Sequence, residues 1–340
     1  MIDDMVDRYS ELTTRTKIDA TDEKILRTLL KESRTSFTEI AKDCKISVNS
    51  VRKRYMRLWR AGIINGAIMQ VNPDSLGYKC IASIWVATAV EDESAVIDFL
   101  KRKPYSCEVF RNIFARANIA DIISLHEFEE LSKTIQDIEA NPKIKHANAL
   151  IWSKTSGMDY SENLALTPSI SKTKNKPNPK PNETKREKLK LSETDRQIAK
   201  ILSKNSRTSF TKIAQKLNIS TKNVTQRYKK LRGTVLASST ITVSLEKLGY
   251  TIAVLLLVKV ANRSKTSETV AELLQIPNLI LVLEYVGGEY DFFVNIVLRN
   301  YNDLFKLEEQ ISAIKNIEHL DIFLNKPYPS WPLNLFASLL

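Results

Sequence analysis

An internal repeat constrains the fold of this sequence more than any other feature. The segment SRTSFTEIAKDCKIS at 33–47 returns as SRTSFTKIAQKLNIS at 206–220, with ten of fifteen positions identical. Before it, TDEKILRTLL at 21–30 matches TDRQIAKILS at 194–203. Similarity over segments this far apart indicates duplicated domains rather than a solenoid unit of about 20–50 residues. The chain therefore has to fold as two similar halves.

The opening part of each half has the pattern of three short helices. Ser36 and Glu39 have the spacing of a capping box at the start of the second helix. Apolar residues recur at helical spacing along the third helix of each half: Val51, Tyr55, Leu58, Val224, Tyr228 and Leu231. A tight link between the second and third helices predicts a helix-turn-helix. Gly66 follows it and predicts a turn between two short strands, which would form a wing.

The outward side of each third helix is strongly basic. From 47 to 60 there are five cations and no acidic residue. Like charges along one side of a helix repel each other unless a polyanion neutralises them. Binding to phosphates with release of counterions is therefore the favoured interpretation, and a basic surface without a binding role is the alternative. Asn, Gln and Arg can also read base edges in a major groove. The residues predicted to contact double-stranded DNA are Ser36, Asn49, Arg52, Lys53, Arg54, Arg57, Arg60, Lys222, Asn223, Gln226, Arg227, Lys229 and Lys230.

The net charge of +12 is concentrated in the same two regions. Residues 17–72 carry 12 basic and 6 acidic side chains, and residues 192–244 carry 11 and 2. By contrast, residues 73–153 carry 9 and 12, and residues 245–326 carry 8 and 11. Basic charge confined to two corresponding segments indicates a polyanionic partner at those segments.

The order TDEKIL, SRTSFTEIA, VRKRYMRLWRAGII and NPDSLGY resembles the DNA-binding domain of the Lrp/AsnC family of transcription regulators. The resemblance implies a second domain in each half, a βαββαβ module for ligand sensing and assembly, and the spacing of apolar segments agrees with it. We therefore expect an α+β fold, with two winged helix-turn-helix domains alternating with two ferredoxin-like domains of the RAM/AsnC type. The expected boundaries are 17–72, 73–153, a flexible basic linker at 154–191, 192–244, 245–326 and a C-terminal tail at 327–340.

The resemblance also implies a binding site for a small effector, often an amino acid, at a hairpin of the second module. The residues matching it are Gly287, Gly288, Glu289, Tyr290 and Asp291. Glycines at such a turn allow positive φ and a close approach to the backbone, and a plain hairpin turn is the alternative interpretation. In the first half, ARANIAD aligns Asp121 with Asp291 and lacks the glycines.

Family members double their DNA site by dimerising, and their modules self-associate by packing sheets. The duplication is expected to place both half-site readers in one chain, with the two modules pairing as a pseudo-dimer. Linking two readers makes the second contact intramolecular and raises avidity. The reading sets of the two third helices differ, which predicts an asymmetric operator.

Other classes of protein are less consistent with the sequence. The start of the chain does not match a signal peptide, and the longest apolar run, IAVLLLV at 252–258, is too short to span a bilayer, which predicts a cytoplasmic protein with no membrane partner. Three scattered histidines and three unpaired-looking cysteines predict neither a metal site nor a cofactor.

Two alternatives stay open: an architectural DNA-binding protein with little sequence preference, and an enzyme resembling the sirohaem decarboxylases, which are fused Lrp/AsnC-like halves dependent on histidine and arginine. The scarcity of histidine favours a non-enzymatic regulator.

Overall fold

The computed structural model describes residues 17–112, 117–154, 159–167 and 190–340. The first half contains α1 (Ala20–Lys31), α2 (Phe37–Cys44), α3 (Val48–Arg60), β1 (Ile64–Val71), α4 (Pro73–Leu76), β2 (Cys80–Thr88), α5 (Glu93–Lys101), β3 (Ser106–Arg111), β4 (Ile119–Leu125), α6 (Glu130–Glu139) and β5 (Ile144–Trp152). The second half contains α7 (Glu193–Lys204), α8 (Phe210–Leu217), α9 (Thr221–Leu231), β6 (Leu236–Val243), β7 (Ile252–Val260), α10 (Thr266–Leu273), β8 (Leu279–Val286), β9 (Phe292–Leu298), α11 (Asn302–Ser312) and β10 (Ile317–Asn325). Apart from α4, which has no helical counterpart in the second half, both halves repeat one order of elements, as the internal repeat predicted.

The helix-turn-helix units begin at capped helix ends. Ser36 caps α2 and forms the predicted reciprocal capping box with Glu39. Ser209 caps α8 without a box, because Lys212 stands where the first half has Glu39. The apolar residues predicted to face inward on α3 and α9 are buried. The helical periodicity therefore identified the packed side of both third helices correctly.

The two helix-turn-helix units are joined by a two-stranded ribbon. Strand β1 pairs antiparallel with β6 of the other half, with Ala67 opposite Ile241. The turn predicted at Gly66 is wrong, because the strand continues through this residue and pairs with the other repeat instead of folding back as a wing. A Cβ at Gly66 would lie 2.4 Å from the Thr242 hydroxyl oxygen, so the glycine allows a close approach of the two strands.

The remaining strands form one eight-stranded sheet with the order β10-β7-β9-β8-β5-β2-β4-β3. Each half contributes a four-stranded βαββαβ unit, and the two units join where Ile151 and Trp152 pair with Val286 and Tyr285. Helices α5 and α6 cover one face of the first unit, and α10 and α11 cover one face of the second. The uncovered faces of the two units pack against each other, which gives the pseudo-dimer of ferredoxin-like modules expected from the repeat.

Two segments outside the repeated elements are packed. Leu164 and Leu166 are buried, and the Tyr250 hydroxyl donates to the carbonyl of Ala165 at 3.0 Å. Residues 159–167 thus belong to the packed structure, which corrects the flexible linker predicted over 154–191. The rest of that prediction, including the proline-rich part, falls on 155–158 and 168–189, outside the described residues.

The C-terminal tail packs on the chain's own domains. The backbone of Trp331 exchanges two hydrogen bonds with Val243, at 2.7 and 2.9 Å. Phe336 is buried with its ring 5.9 Å from that of Trp152. The tail therefore bridges the ribbon and the sheet.

Candidate nucleic-acid interface

The third helices α3 and α9 present a set of exposed polar side chains to solvent. Asn49 and Gln226 are exposed, and so are five cations that form no ion pair within the described part of the chain: Arg52, Lys53, Arg60, Lys222 and Lys229. Because no carboxylate neutralises these cations, they are available to phosphates. The structure thus brings part of the predicted DNA-binding set together on two helix surfaces.

The other predicted cations contact carboxylates of the first helix of each unit. Arg54 Nη1 lies 2.6 Å from Asp19 Oδ2 and 2.9 Å from Asp22 Oδ1. Arg57 pairs with the second oxygen of Asp22, whose side chain is fully buried. The helical projection did not predict these partners, because they come from a different helix. Arg54 and Arg57 therefore hold α3 on α1.

The second half repeats this arrangement with one substitution. Arg227 Nη1 lies 2.8 Å from Asp195 Oδ1, and Lys230 Nζ lies 3.5 Å from Asp195 Oδ2. Burial alone would raise the pKa of Asp195, but hydrogen bonds from Arg227 and from the Ser192 backbone outweigh it and lower the pKa to about 2. Asn223 is drawn inward as well, since its Oδ1 accepts from Arg227 Nε at 2.6 Å. These residues position α9 on α7.

Ser36 lies at the start of α2, where its hydroxyl accepts from the Glu39 amide and donates to the Glu39 carboxylate. It is exposed, but its hydrogen-bonding groups already have partners within the cap. The structure therefore shows a capping role for Ser36, and DNA contact by this residue stays a prediction.

The duplicated Ser-Arg-Thr-Ser-Phe segments meet each other across the chain. The hydroxyls of Ser33 and Ser206 lie 2.6 Å apart and are buried. Arg34 donates to the carbonyls of Ser206 and Thr208, the second at 3.1 Å. In return, Arg207 donates to the carbonyls of Ser33 and Thr35, the second at 3.3 Å. We call this reciprocal pair of Arg34 and Arg207 the arginine clamp.

Aromatic rings complete the arginine clamp. The Arg34 guanidinium lies 4.5 Å from the ring centre of Phe210, and the Arg207 guanidinium lies 4.7 Å from that of Phe37. Such cation–π contacts are attractive when the cation is partly desolvated. Burial lowers the pKa of both arginines. Sequence reasoning missed these residues as functional, although the identity of the two segments was a signal of a shared role.

The glycine hairpin predicted as an effector site has the expected backbone. Gly287 and Gly288 have φ of 73° and 78°, which glycine adopts without strain. Asp291 is buried, and its carboxylate accepts from the Val260 amide at 2.9 Å and from Arg263 Nε at 2.7 Å. Tyr290 donates to Asp321, and Glu289 is exposed. The Asp291 carboxylate therefore already has partners in the fold.

The counterpart of Asp291 in the first half is Asn118, which corrects the alignment with Asp121. Asn118 Oδ1 accepts from the Thr88 amide at 3.0 Å, just as Asp291 accepts from the amide at the end of β7. Asp121 lies within β4 and accepts from the Ser106 hydroxyl at 2.7 Å. Burial raises the pKa of Asp121 to about 7. The sequence alignment misplaced the pair because Asp121, three residues further along the chain, matches Asp291 in residue type.

Within the described residues there is no group of three or more His, Cys, Asp or Glu that could hold a metal ion. In the same part of the chain, no helix has the length and apolar content needed to cross a bilayer.

Comparison with known proteins places these helices in a family. A profile described as winged helix-turn-helix DNA-binding matches residues 18–65, and one for AsnC-type helix-turn-helix domains matches residues 191–232. The HTH-type transcriptional regulator LrpA of Pyrococcus horikoshii is 39% identical over 118 residues, which are 32% of this chain and 84% of that protein. The HTH-type transcriptional regulator Ptr1 of Methanocaldococcus jannaschii is 30% identical over 120 residues, which are 35% of this chain and 80% of that protein.

A solved structure matches nearly the whole chain. The crystal structure of the siroheme decarboxylase NirDL has a TM-score of 0.63 and covers 94% of this chain and 96% of that chain, at 15% sequence identity. At this identity the likeness shows a shared fold and nothing about activity. Family membership instead follows from the regulators, which match with higher identity over most of their own length: the chain belongs to the Lrp/AsnC family of transcription regulators and carries the family's helix-turn-helix unit twice.

Proposed function

We propose that one chain of this DNA-binding transcription regulator contacts a single duplex with both α3 and α9, and so reads two half-sites. The arginine clamp is the observation that carries the proposal. It holds the two helix-turn-helix units against each other through reciprocal hydrogen bonds. The ribbon of β1 and β6 joins the same units. Helix-turn-helix dimers contact half-sites about 10 bp apart, and we propose the same spacing for α3 and α9.

The exposed side chains on the two helices suggest how the duplex is recognised. Arg52, Lys53 and Lys229 are suited to phosphates, which fix register without reading sequence. Asn49 on α3 and Gln226 on α9 are suited to adenine edges in the major groove. Because the two sets differ, the proposed operator is asymmetric and recognition is sequence-specific.

The family's self-association corresponds in this proposal to a contact within the chain. The uncovered faces of the two sheet units already pack on each other, which supports a chain that acts as a pseudo-dimer. An amino-acid effector at Gly287–Asp291 stays a prediction; there it would meet mainly backbone, since the Asp291 carboxylate is bonded to Arg263. A DNA target agrees with a cytoplasmic location.

We infer that the chain has no sirohaem decarboxylase activity. A tetrapyrrole with many carboxylates needs cationic partners in its pocket. The large cavity between the sheet units has one charged residue among its described lining residues, and it is the acidic Asp159. The three histidines, His126, His146 and His319, are absent from that lining. The cavity therefore does not suit a polycarboxylate.

Replacing Arg52 and Lys53 together by alanine tests the DNA contact. Each lost phosphate contact should reduce the slope of log affinity against log salt by about 0.9, so the double variant should lose about 1.8. The slope is measured by titrating a labelled duplex at several salt concentrations. The duplex itself comes from selection out of random DNA.

The double variant Lys101→Ala with Arg102→Ala is the matched control. It removes the same charge at the end of α5, in a ferredoxin-like unit. An equal change of slope in both double variants would contradict the proposed interface. Selection without an enriched motif would favour the architectural alternative over sequence-specific recognition.

A further inference from the structure

A cavity of about 530 Å³ lies where all parts of the chain meet. Its walls come from the open faces of both sheet units, from the ribbon of β1 and β6, and from the C-terminal tail. This volume is within the range of about 300–1,000 Å³ that is typical of small-molecule sites. Neither the DNA-binding surface nor the glycine hairpin uses this space.

Aromatic side chains from both sheet units and the tail form part of the wall. The rings of Tyr328 and Trp331 stack with centres 5.4 Å apart, and Phe110 meets Tyr328 edge-on at 5.8 Å. Trp85 and Phe293, one from each sheet unit, have ring centres 6.3 Å apart. Aromatic faces attract organic cations as well as apolar groups.

Among the described residues, the charge that lines the cavity is negative and no cation forms an ion pair with it. Asp159 is the one charged residue among the described residues that line it. Its Oδ1 accepts from the Ser161 hydroxyl and from the Ser161 amide, the latter at 2.8 Å, while the contact to Oδ2 from the described residues is a long one of 3.4 Å from Gln70 Nε2. Burial raises the pKa of Asp159 to about 6, despite the hydrogen bonds from Ser161 and Gln70. A desolvated carboxylate without a counter-ion favours a cation beside it.

Two buried donors also lack partners. Trp331 Nε1 and Asn112 Nδ2 belong to lining residues that are 2% and 4% exposed, and neither has a hydrogen-bond partner within the described structure. An unsatisfied buried donor costs about 1–3 kcal/mol, so such groups are uncommon without a role. An acceptor on the aromatic part of a ligand, such as a ring hydroxyl, would satisfy them, whereas an ammonium group would not.

We propose that the central cavity binds a small aromatic amine. Its ammonium group pairs with the Asp159 carboxylate, and its rings lie between the aromatic side chains of the two sheet units and the tail. Anionic ligands of the same shape are rejected, because the Asp159 carboxylate repels them and no described lining residue is cationic. The site is separate from the hairpin at Gly287–Asp291.

Tryptamine, 3-methylindole and indole-3-acetate are matched probes with cationic, neutral and anionic groups on one ring system. Binding to the full chain without DNA is measured by calorimetry, so the result is independent of DNA recognition. Tryptamine should bind at one site per chain, at least tenfold more tightly than either of the other two. Equal affinity for all three probes, no binding of tryptamine at millimolar concentration, or a preference for indole-3-acetate would each overturn the proposal.

The variant Asp159→Asn tests whether the Asp159 carboxylate causes the preference for a cationic ligand. Asparagine can still accept from Ser161, and tryptamine binding should weaken at least tenfold while 3-methylindole binding is unchanged. Asp121→Asn is the control, since Asp121 is a buried carboxylate that does not line the cavity. Should Asp159→Asn impair folding, the charge preference of the wild-type chain among the three probes decides the question. Tryptamine binding that survives Asp159→Asn in a folded variant would refute the assignment.

Discussion

At the scale of single residues, one buried carboxylate in each helix-turn-helix unit decides which cations remain available to DNA. Asp22 draws Arg54 and Arg57 onto α1, and Asp195 draws Arg227 and Lys230 onto α7. A buried carboxylate without such partners would be strongly destabilising. Four of the nine cations predicted to contact DNA from the third helices are therefore structural.

Asp195→Asn should destabilise the chain in a pH-dependent way. Because the folded-state pKa of Asp195 is about 2, below its ordinary value of 3.8, the carboxylate stabilises the fold above pH 4. The difference corresponds to about 2 kcal/mol. This contribution is lost as the pH falls from about 4 to about 2. Urea unfolding at pH 7 and at lower pH should therefore show a gap between wild type and variant that closes in acid.

Glu193→Gln is the control, since Glu193 lies in the same first turn but is exposed. It should change the free energy of unfolding by much less. A gap for Asp195→Asn that stays constant from pH 7 to pH 2 would mean that the residue acts through packing and not through its charge.

At the scale of elements, the two helix-turn-helix units are not independent domains. Met69 of β1 packs in the core of the second unit, and Ile241 and Val243 of β6 pack in the core of the first. The arginine clamp adds hydrogen bonds between the loops that precede α2 and α8. Each unit thus contributes residues to the hydrophobic core of the other. The contacts between the two units therefore fix the distance between α3 and α9.

Replacing Arg34 and Arg207 by alanine should make the distance between α3 and α9 more variable without removing a phosphate contact. Affinity for a duplex with both half-sites should fall about tenfold, because the second contact loses its fixed position. The salt slope should stay unchanged. Titrations against duplexes with base pairs inserted or removed between half-sites should show a flatter preference for spacing than in the wild type.

Lys101→Ala with Arg102→Ala again controls for the loss of two charges. A salt slope that falls by about 1.8 in the Arg34 and Arg207 variant, with its spacing preference intact, would instead make these arginines direct DNA contacts.

At the scale of the whole molecule, the fold does not decide between a regulator and an enzyme. The chain shares its overall arrangement with the siroheme decarboxylase NirDL. Functions differ among proteins of one fold because the site residues differ. Here α3 and α9 carry exposed cations without ion-pair partners in the described part of the chain, and the described lining of the central cavity carries no cation.

Sirohaem incubated anaerobically with the full chain should keep its absorption spectrum. The physical reason is that none of the described residues lining the cavity is cationic, so the sirohaem carboxylates find no positively charged partner among them. The same sirohaem without protein is the control for spontaneous change. A spectral change that needs the chain would contradict the non-enzymatic interpretation.

The amino-acid sequence by itself determined the duplication, the order of helices and strands, and the buried sides of α3 and α9. These features are local, since they depend on spacing along the chain: Val51, Tyr55 and Leu58 share one helix side whatever surrounds them. The basic surface of the two third helices was predictable for the same reason.

Only the tertiary structure decided which groups meet across the two halves. The strand through Gly66 pairs with the other repeat, Arg54 and Arg57 turn onto Asp22, Asn118 takes the place of Asp291, and Asp159 lines a cavity closed by the tail. Each of these contacts joins residues distant in sequence, so periodicity carries no information about it. The position of a charged or polar side chain depends on the partner that the folded chain brings near it. A buried polar group without a partner raises the free energy of the folded state, so the side chain turns toward a partner.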